Sequence, residues 1–249
     1  MPPEYSNVLV LAAHADDETI GAFGYLYGRR GALTLAFLTD GAPHARWRPS
    51  GFSRREYRSI RRAEARAVWH EVDPGARLWF APFADQQLAF RLQEAATWLR
   101  PLADELRPDL ILAPAFEGGH PDHDAANLLA CALGRELHTA VSEYALYTAH
   151  QGQICRQQFP AEPQWRRRLR PAAAAAKRAA LNGYGSQART LADVSAEHEA
   201  LRPLPRHDYG RPALSERAVY ELWGWPWSAV DMARQFAAYV NGSVTACGF

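Results

Sequence analysis

The chain has 249 residues and is short of several things, each of which closes a class of answer. It has only three cysteines, Cys131, Cys155 and Cys247, widely spaced and with no C-x-x-C pair. That excludes a disulfide framework and a zinc site built on thiolates, and it fits a reducing compartment. No apolar run reaches the roughly 18 residues that a membrane span needs. Residues 1–7 carry no basic residue, and the apolar run after them is too short for the core of a signal peptide, so a soluble cytoplasmic protein without membrane contact is expected. A net charge of +1 provides no general attraction for nucleic acid, although arginines cluster at 54–66 and 166–170. The glycine-rich G-x-G-x-x-G turn of dinucleotide sites is missing. So are internal repeats and low-complexity linkers.

What is present suits one globular domain spanning 1–249, with 48% hydrophobic and 22% charged residues. Residues Val8–Ala13 form a continuous apolar run, the mark of a strand buried on both faces. Helical spacing follows over 19–30, and a second strand over 33–38 stops at Thr39-Asp40-Gly41. Residues 42–52 read as a loop. Ser53 with Glu56 is a capping-box pattern opening a helix that runs to about Val72. A strand over 77–81, a loop over 82–87 and a helix over 88–106, broken or kinked at Pro101, come next. Then follow a strand at 110–113, a flexible turn at Glu117-Gly118-Gly119, a helix over 125–138 and a strand over 143–148. This alternation over 1–150 predicts an α/β, Rossmann-like fold: a mostly parallel sheet with helices on both faces. Residues 151–249 are expected to be a C-terminal extension packed on that sheet and walling the site. In it, 171–181 reads as a helix, 201–212 as a loop, 222–227 as an aromatic cluster and 228–240 as a closing helix.

Two stretches carry chemistry. The first strand runs into His14, Asp16, Asp17 and Glu18; a later strand runs into His120-Pro121-Asp122-His123. Taken singly, each has a plain explanation. Acids favour the first turn of a helix because its amides carry partial positive charge, and proline suits the first helical position. Taken together, two turns on one sheet edge supply two imidazoles and a choice of carboxylates. That is a zinc-type donor set with a surplus acid for proton transfer. Without thiolates, the metal would be catalytic rather than structural.

These residues resemble the PIG-L (LmbE-like) zinc-dependent N-acetylglucosaminyl deacetylases, whose motifs A-H-P-D-D-E and H-P-D-H stand here as Ala13–Glu18 and His120–His123. Weaker similarities are Thr39-Asp40-Gly41, Arg61-Arg62-Ala63-Glu64 and the segment from Lys177 to Gly185-Ser186-Gln187. The resemblance implies a hydrolase that removes the acetyl group from a small N-acetylated amino sugar or glycoconjugate. It implies Zn2+ bound by His14, Asp17 and His123. It implies Asp16 as general base, His120 as donor to the oxyanion or to the leaving amine, and Asp122 as the residue that orients His120 and favours its charged form. Arg61 would help hold substrate and Asp85 would meet a sugar hydroxyl. Ala15 departs from the motif's proline, which loses turn rigidity but no ligand.

The competing reading is a non-catalytic metal- or nucleotide-binding α/β module; an acidic first turn argues against phosphate. Most arginines over 54–66 read as a solvated helix face. For Trp223, Trp225 and Trp227, core packing or a homo-oligomer contact is favoured over stacking on sugar. His44, His70, His138, His150, His198 and His207 lack ligand spacing and read as structural or surface residues.

Overall fold

The structure is a computed structural model and describes residues 5–160 and 166–246. Cys247 lies outside the described residues. Strands β1 (Asn7–Ala12), β2 (Ala32–Phe37), β3 (Arg77–Phe80), β4 (Leu110–Pro114) and β5 (Ala140–Tyr144) pair in parallel in the order β3-β2-β1-β4-β5. Two strands of the extension, β9 (His198–Pro203) and β8 (Arg166–Arg168), add on antiparallel beyond β5. The α/β expectation is met: a mostly parallel sheet sits between helical layers.

The period of two along β1 explains the layers. Val8, Val10 and Ala12 face one apolar cluster, and Leu9, Leu11 and Ala13 face the other. On the first side lie α2 (Phe23–Leu26), α3 (Arg54–Val72), α6 (Pro171–Asn182) and the short α7 (Ala188–Leu191). On the second lie α4 (Leu92–Leu106), α5 (Pro121–Leu137), the short α8 (Val219–Leu222) and α9 (Ala229–Ala246). Ser53 and Glu56 form both halves of the expected capping box on α3.

The order reverses between β1 and β4, which are direct neighbours: β1 leads to β2 on one side, β4 to β5 on the other. In open α/β sheets the crevice beyond the carboxyl ends at such a switch is where ligands bind. The two acidic/histidine turns follow these two strands.

Four elements differ from the sequence reading, each for a local reason. The helix expected over 19–30 is two short pieces, α1 (Asp17–Gly21) and α2, parted at Ala22. The Gly24 amide, which a continuous helix would give to the Ile20 carbonyl, instead donates to Glu199; the Ile20 carbonyl accepts from Lys177 Nζ at 2.6 Å. A buried ion pair from the tail has thus entered the helical ladder. The strand expected over 143–148 ends at Tyr144, and β6 (Tyr147–His150) turns into a separate hairpin with β7 (Gln153–Arg156). Glu117 Oε1 accepts the amides of Leu146 and Tyr147 at the corner, replacing ladder partners. Part of the expected 201–212 loop belongs to β9, where Leu201 pairs with Tyr144. Finally, α4 continues through Pro101, and a 3-10 turn at Leu88–Phe90 precedes it. No helix among the described residues is long and apolar enough to cross a membrane.

Candidate metal centre

The first turn closes tightly after β1. The amides of Asp16 and Asp17 donate to the His14 carbonyl, and the His14 amide donates to Asp17 Oδ2 at 2.8 Å. This turns both His14 and Asp17 inward. The second turn opens α5. His120 is its N-cap, with Nδ1 accepting the Asp122 amide at 3.0 Å, and Pro121 fills the first helical position. Gly119 is needed just before it, since a Cβ there would meet the Tyr147 carbonyl oxygen at 2.0 Å. The turn at 117–119 is therefore packed rather than loose.

The two turns meet. His14 Nδ1 lies 3.2 Å from His123 Nε2, His123 Nε2 lies 3.3 Å from Asp17 Oδ1, and His14 Nδ1 lies 3.6 Å from Asp17 Oδ2. All three residues are at least nine-tenths buried. Ligands held tetrahedrally about 2.0–2.2 Å from one ion stand about 3.3–3.6 Å apart. This triangle of residues stands at about that spacing, with Oδ1 of Asp17 facing His123 and Oδ2 facing His14.

A second group, His14, Asp85, His120 and Asp122, also clusters within ligand range. It fits a metal less well because its atoms are already engaged. Asp122 accepts the amides of Gln86 and Leu88 at 2.6 and 2.9 Å. His14 Nε2 lies 3.2 Å from Asp85 Oδ1 and 3.6 Å from Asp122 Oδ2. A carboxylate on the far nitrogen sets the tautomer of a metal-binding histidine and leaves the other nitrogen's lone pair for the ion. Here that assignment leaves Nδ1 of His14 facing the triangle.

Charge follows the same division. Burial pushes the His14 pKa down, but Asp85, Asp17 and Asp122 outweigh it and hold it well above the ordinary range. Burial pushes Asp17 up, yet His123 and His14 bring it well below the ordinary carboxylate range. His120 goes the other way: burial first, then His14 and His123, hold its pKa well below the usual value. With Nδ1 accepting an amide, the neutral ring carries its proton on Nε2.

The remaining expected site residues are brought to the same edge with unequal roles. Asp16 is buried, and its Oδ2 accepts from Arg61 Nη1 at 3.2 Å. Arg61 is only 2% exposed, so its guanidinium serves Asp16 rather than opening toward solvent. Gly41, at φ +58, passes under that side chain, with a Cβ there only 3.1 Å from Arg61 Nε. Asp85 is partly buried, 3.2 Å from His14 and 3.9 Å from His120 Nε2. Asp122 does not touch the His120 ring with its carboxylate. Its amide holds His120, while its carboxylate clamps the 86–88 loop beside His14.

Several supports escaped the sequence reading. Asp40 Oδ1 accepts the Asp85 amide at 3.1 Å, fixing the loop that carries Asp85, while Oδ2 pairs with Arg54. Glu18 anchors the first turn from below by accepting from Trp69, Thr19 and Tyr184. Glu64 accepts from both the amide and the hydroxyl of Ser186. The aromatic cluster reaches the centre too: Trp225 meets the His120 ring edge-on at 5.0 Å. The charged partners were invisible because nothing local marks which distant residue an acid will meet.

Solved structures of similar shape include a deacetylase from the teicoplanin biosynthesis pathway, at 18% identity, covering 81% of this chain and 98% of that one with a TM-score of 0.60. They include N,N'-diacetylchitobiose deacetylase from Pyrococcus horikoshii, at 18% identity, 81% and 85% coverage and a TM-score of 0.59. A conserved protein from Thermus thermophilus aligns at 21% identity over 81% of this chain and 96% of its own, with a TM-score of 0.55. At such identities the likeness concerns the fold. A comparison with curated proteins finds no match. The model of the PIG-L family, described as GlcNAc-PI de-N-acetylase, matches residues 9–133, the half of the chain that holds both turns, and the chain belongs to that family.

Proposed function

We propose that the protein is a metal-dependent hydrolase that removes the acetyl group from a small N-acetylated amino sugar or glycoconjugate. The observation that carries this reading is the buried group of His14, Asp17 and His123, whose closest donor atoms are 3.2–3.6 Å apart, flanked by Asp16 and His120. Family membership supplies the reaction class. Two imidazoles and one carboxylate suit zinc, which when bound supplies a Lewis acid and lowers the pKa of its water to about 7.

The chain's own residues do the rest. Asp16 accepts the proton released as the nucleophile forms. Arg61 donates to Oδ2 of that carboxylate and so orients it. His120 donates its Nε2 proton toward the carbonyl oxygen where charge builds, a preorganised donor in a buried site. Asp122 positions both histidines, one through its amide and one through its carboxylate. Asp85 faces the same space and offers a carboxylate to a sugar hydroxyl. Arg61 is then a positioning residue, not a substrate contact.

In this reading residues 1–249 work as one unit, with the extension forming part of the site's wall. A cytoplasmic location is consistent with the free thiols of Cys131 and Cys155. The test is direct. Purified protein should carry about one zinc per chain and release a primary amine from N-acetylated sugars. Metal content of about one with no amine release across small and large sugars would reject the deacetylase reading.

A further inference from the structure

Five rings form a closed arc that includes two of the site histidines. His123 meets Tyr147 at 5.3 Å, Tyr147 meets Trp223 at 5.6 Å, Trp223 meets Trp225 at 6.1 Å, and Trp225 meets His120 at 5.0 Å. The arc closes because His120 and His123 are themselves 5.0 Å apart. It therefore begins on an expected metal ligand and ends on the expected oxyanion donor. Tyr147 comes from β6 and both tryptophans come from the turn after α8, all three outside the family-matched segment.

The exposed member is Trp223, with 40% of its surface open. It is not a core residue that slipped outward. Trp227 packs on Phe90, and Trp225 lies against the hydrophobic cluster under α9. Trp223 turns away from that cluster, toward Tyr147. The turn that presents it is held firmly: the Val219 amide donates to the Gly118 carbonyl, the Trp225 amide donates to the Tyr220 carbonyl, and Gly224 adopts φ +72 between the two tryptophans. An exposed indole on a fixed turn, one ring removed from each of two site histidines, is a preformed contact surface. The indole is neutral and flat, and the Arg156 guanidinium stands over the neighbouring Tyr147 ring, 6.0 Å from its centre.

We propose that Trp223 and Tyr147 form a stacking subsite for a second ring, so that the protein acts on N-acetyl amino sugars extended by a neutral group with a flat apolar face. This rests on the deacetylase reading above and names its substrate class. The face of an aromatic ring is electron-rich and accepts the C–H face of a pyranose or the edge of an aromatic aglycone; hydroxyls at the ring's rim stay in water. Trp225 is a positioning residue, since it links the wall to His120. Trp223 is the specificity residue, since it touches neither histidine.

The experiment compares wild type, Trp223→Ala and Trp223→Phe on N-acetylglucosamine, N,N'-diacetylchitobiose and 4-nitrophenyl N-acetylglucosaminide. Trp223→Ala should raise KM for the ring-extended substrates about three- to tenfold with kcat little changed. N-acetylglucosamine should be unaffected, and Trp223→Phe should restore most of the loss. A penalty confined to the disaccharide assigns the subsite to a sugar ring; one confined to the nitrophenyl glycoside assigns it to an aromatic aglycone. Equal KM values for wild type and Trp223→Ala on all three substrates would overturn the proposal. Binding of the same glycosides is followed in parallel by tryptophan fluorescence. Titration that depends on Trp223 without any turnover would sink the deacetylase reading and leave the subsite standing. Titration that is the same in both proteins sinks the subsite.

Discussion

Residues 13–18 and 120–123 reach the site from the ends of two buried parallel strands, whereas residues 223–227 reach it from a surface turn. The first region is over-determined. His14, Asp16 and Asp17 sit where β1 stops, and the backbone amides, Glu18, Arg61 and Asp122 each fix a separate atom there. Among the described residues, the second region is fixed by backbone hydrogen bonds and ring contacts, with no charged side chain placed on Trp223 or Trp225. On the proposed reading, chemistry that needs atoms placed to a few tenths of an ångström lies on the rigid strand ends, and recognition that tolerates more lies on the tail.

That contrast can be broken at several points. The largest effect is expected at the donor triangle. His123→Ala or His14→Ala should lose the metal and lower activity on the order of 1000-fold or more, read by elemental analysis and amine release. Asp16→Asn should keep about one metal per chain and lower kcat roughly 100- to 10,000-fold. Full activity in that variant would mean another group takes the proton.

The seam between the first helix and the C-terminal extension comes next. Lys177 and Glu199 are both fully buried, 2.9 Å apart, and they hold the break between α1 and α2. Burial lowers the pKa of the lysine and raises that of the glutamate, each opposed by its partner. Lys177→Met leaves Glu199 buried without its cation and should cost about 3–5 kcal/mol in thermal or denaturant unfolding. Lys177→Met with Glu199→Leu should recover much of that loss. A single variant as stable as wild type would show that the tail is not stapled there.

The last expected effect is a pH dependence at the hinge between β5 and β6. Glu117 is buried, Oε1 accepts two amides and Oε2 has no partner among the described residues, and burial pushes its pKa from the ordinary 4.5 to about 8. The folded protein thus keeps a proton that the unfolded chain releases. Because the unfolded state binds fewer protons between those values, stability falls as pH rises from about 5 to 8 and levels off above. Glu117→Gln should flatten that part of the stability profile; an unchanged slope would place the titration elsewhere.

How much of this was legible can be read from particular residues. The strand at Val8–Ala13 was legible because an uninterrupted apolar run suits only a strand with helices on both sides. The pairing of the two motifs was legible because right-handed crossovers put the carboxyl ends of parallel strands on one edge. The split of the first helix was not, since its cause is Lys177 and Glu199, more than 150 residues away. The position of Arg61 was legible only in part. Its spacing placed it on α3 with other arginines, but nothing local distinguished the one that turns inward onto Asp16 from those that face water.

The sequence alone determined the alternating elements, the residue types of the donor set and the edge on which they meet, because these follow from period, polarity and chirality over short stretches. Only the tertiary structure decided which nitrogen of His14 faces the triangle, that the carboxylate of Asp122 serves the loop rather than His120, and that Trp223 and Trp225 join the two histidines in one arc. Those outcomes depend on atoms brought within a few ångströms by the whole fold, and no local pattern in a chain encodes a distance between its distant parts.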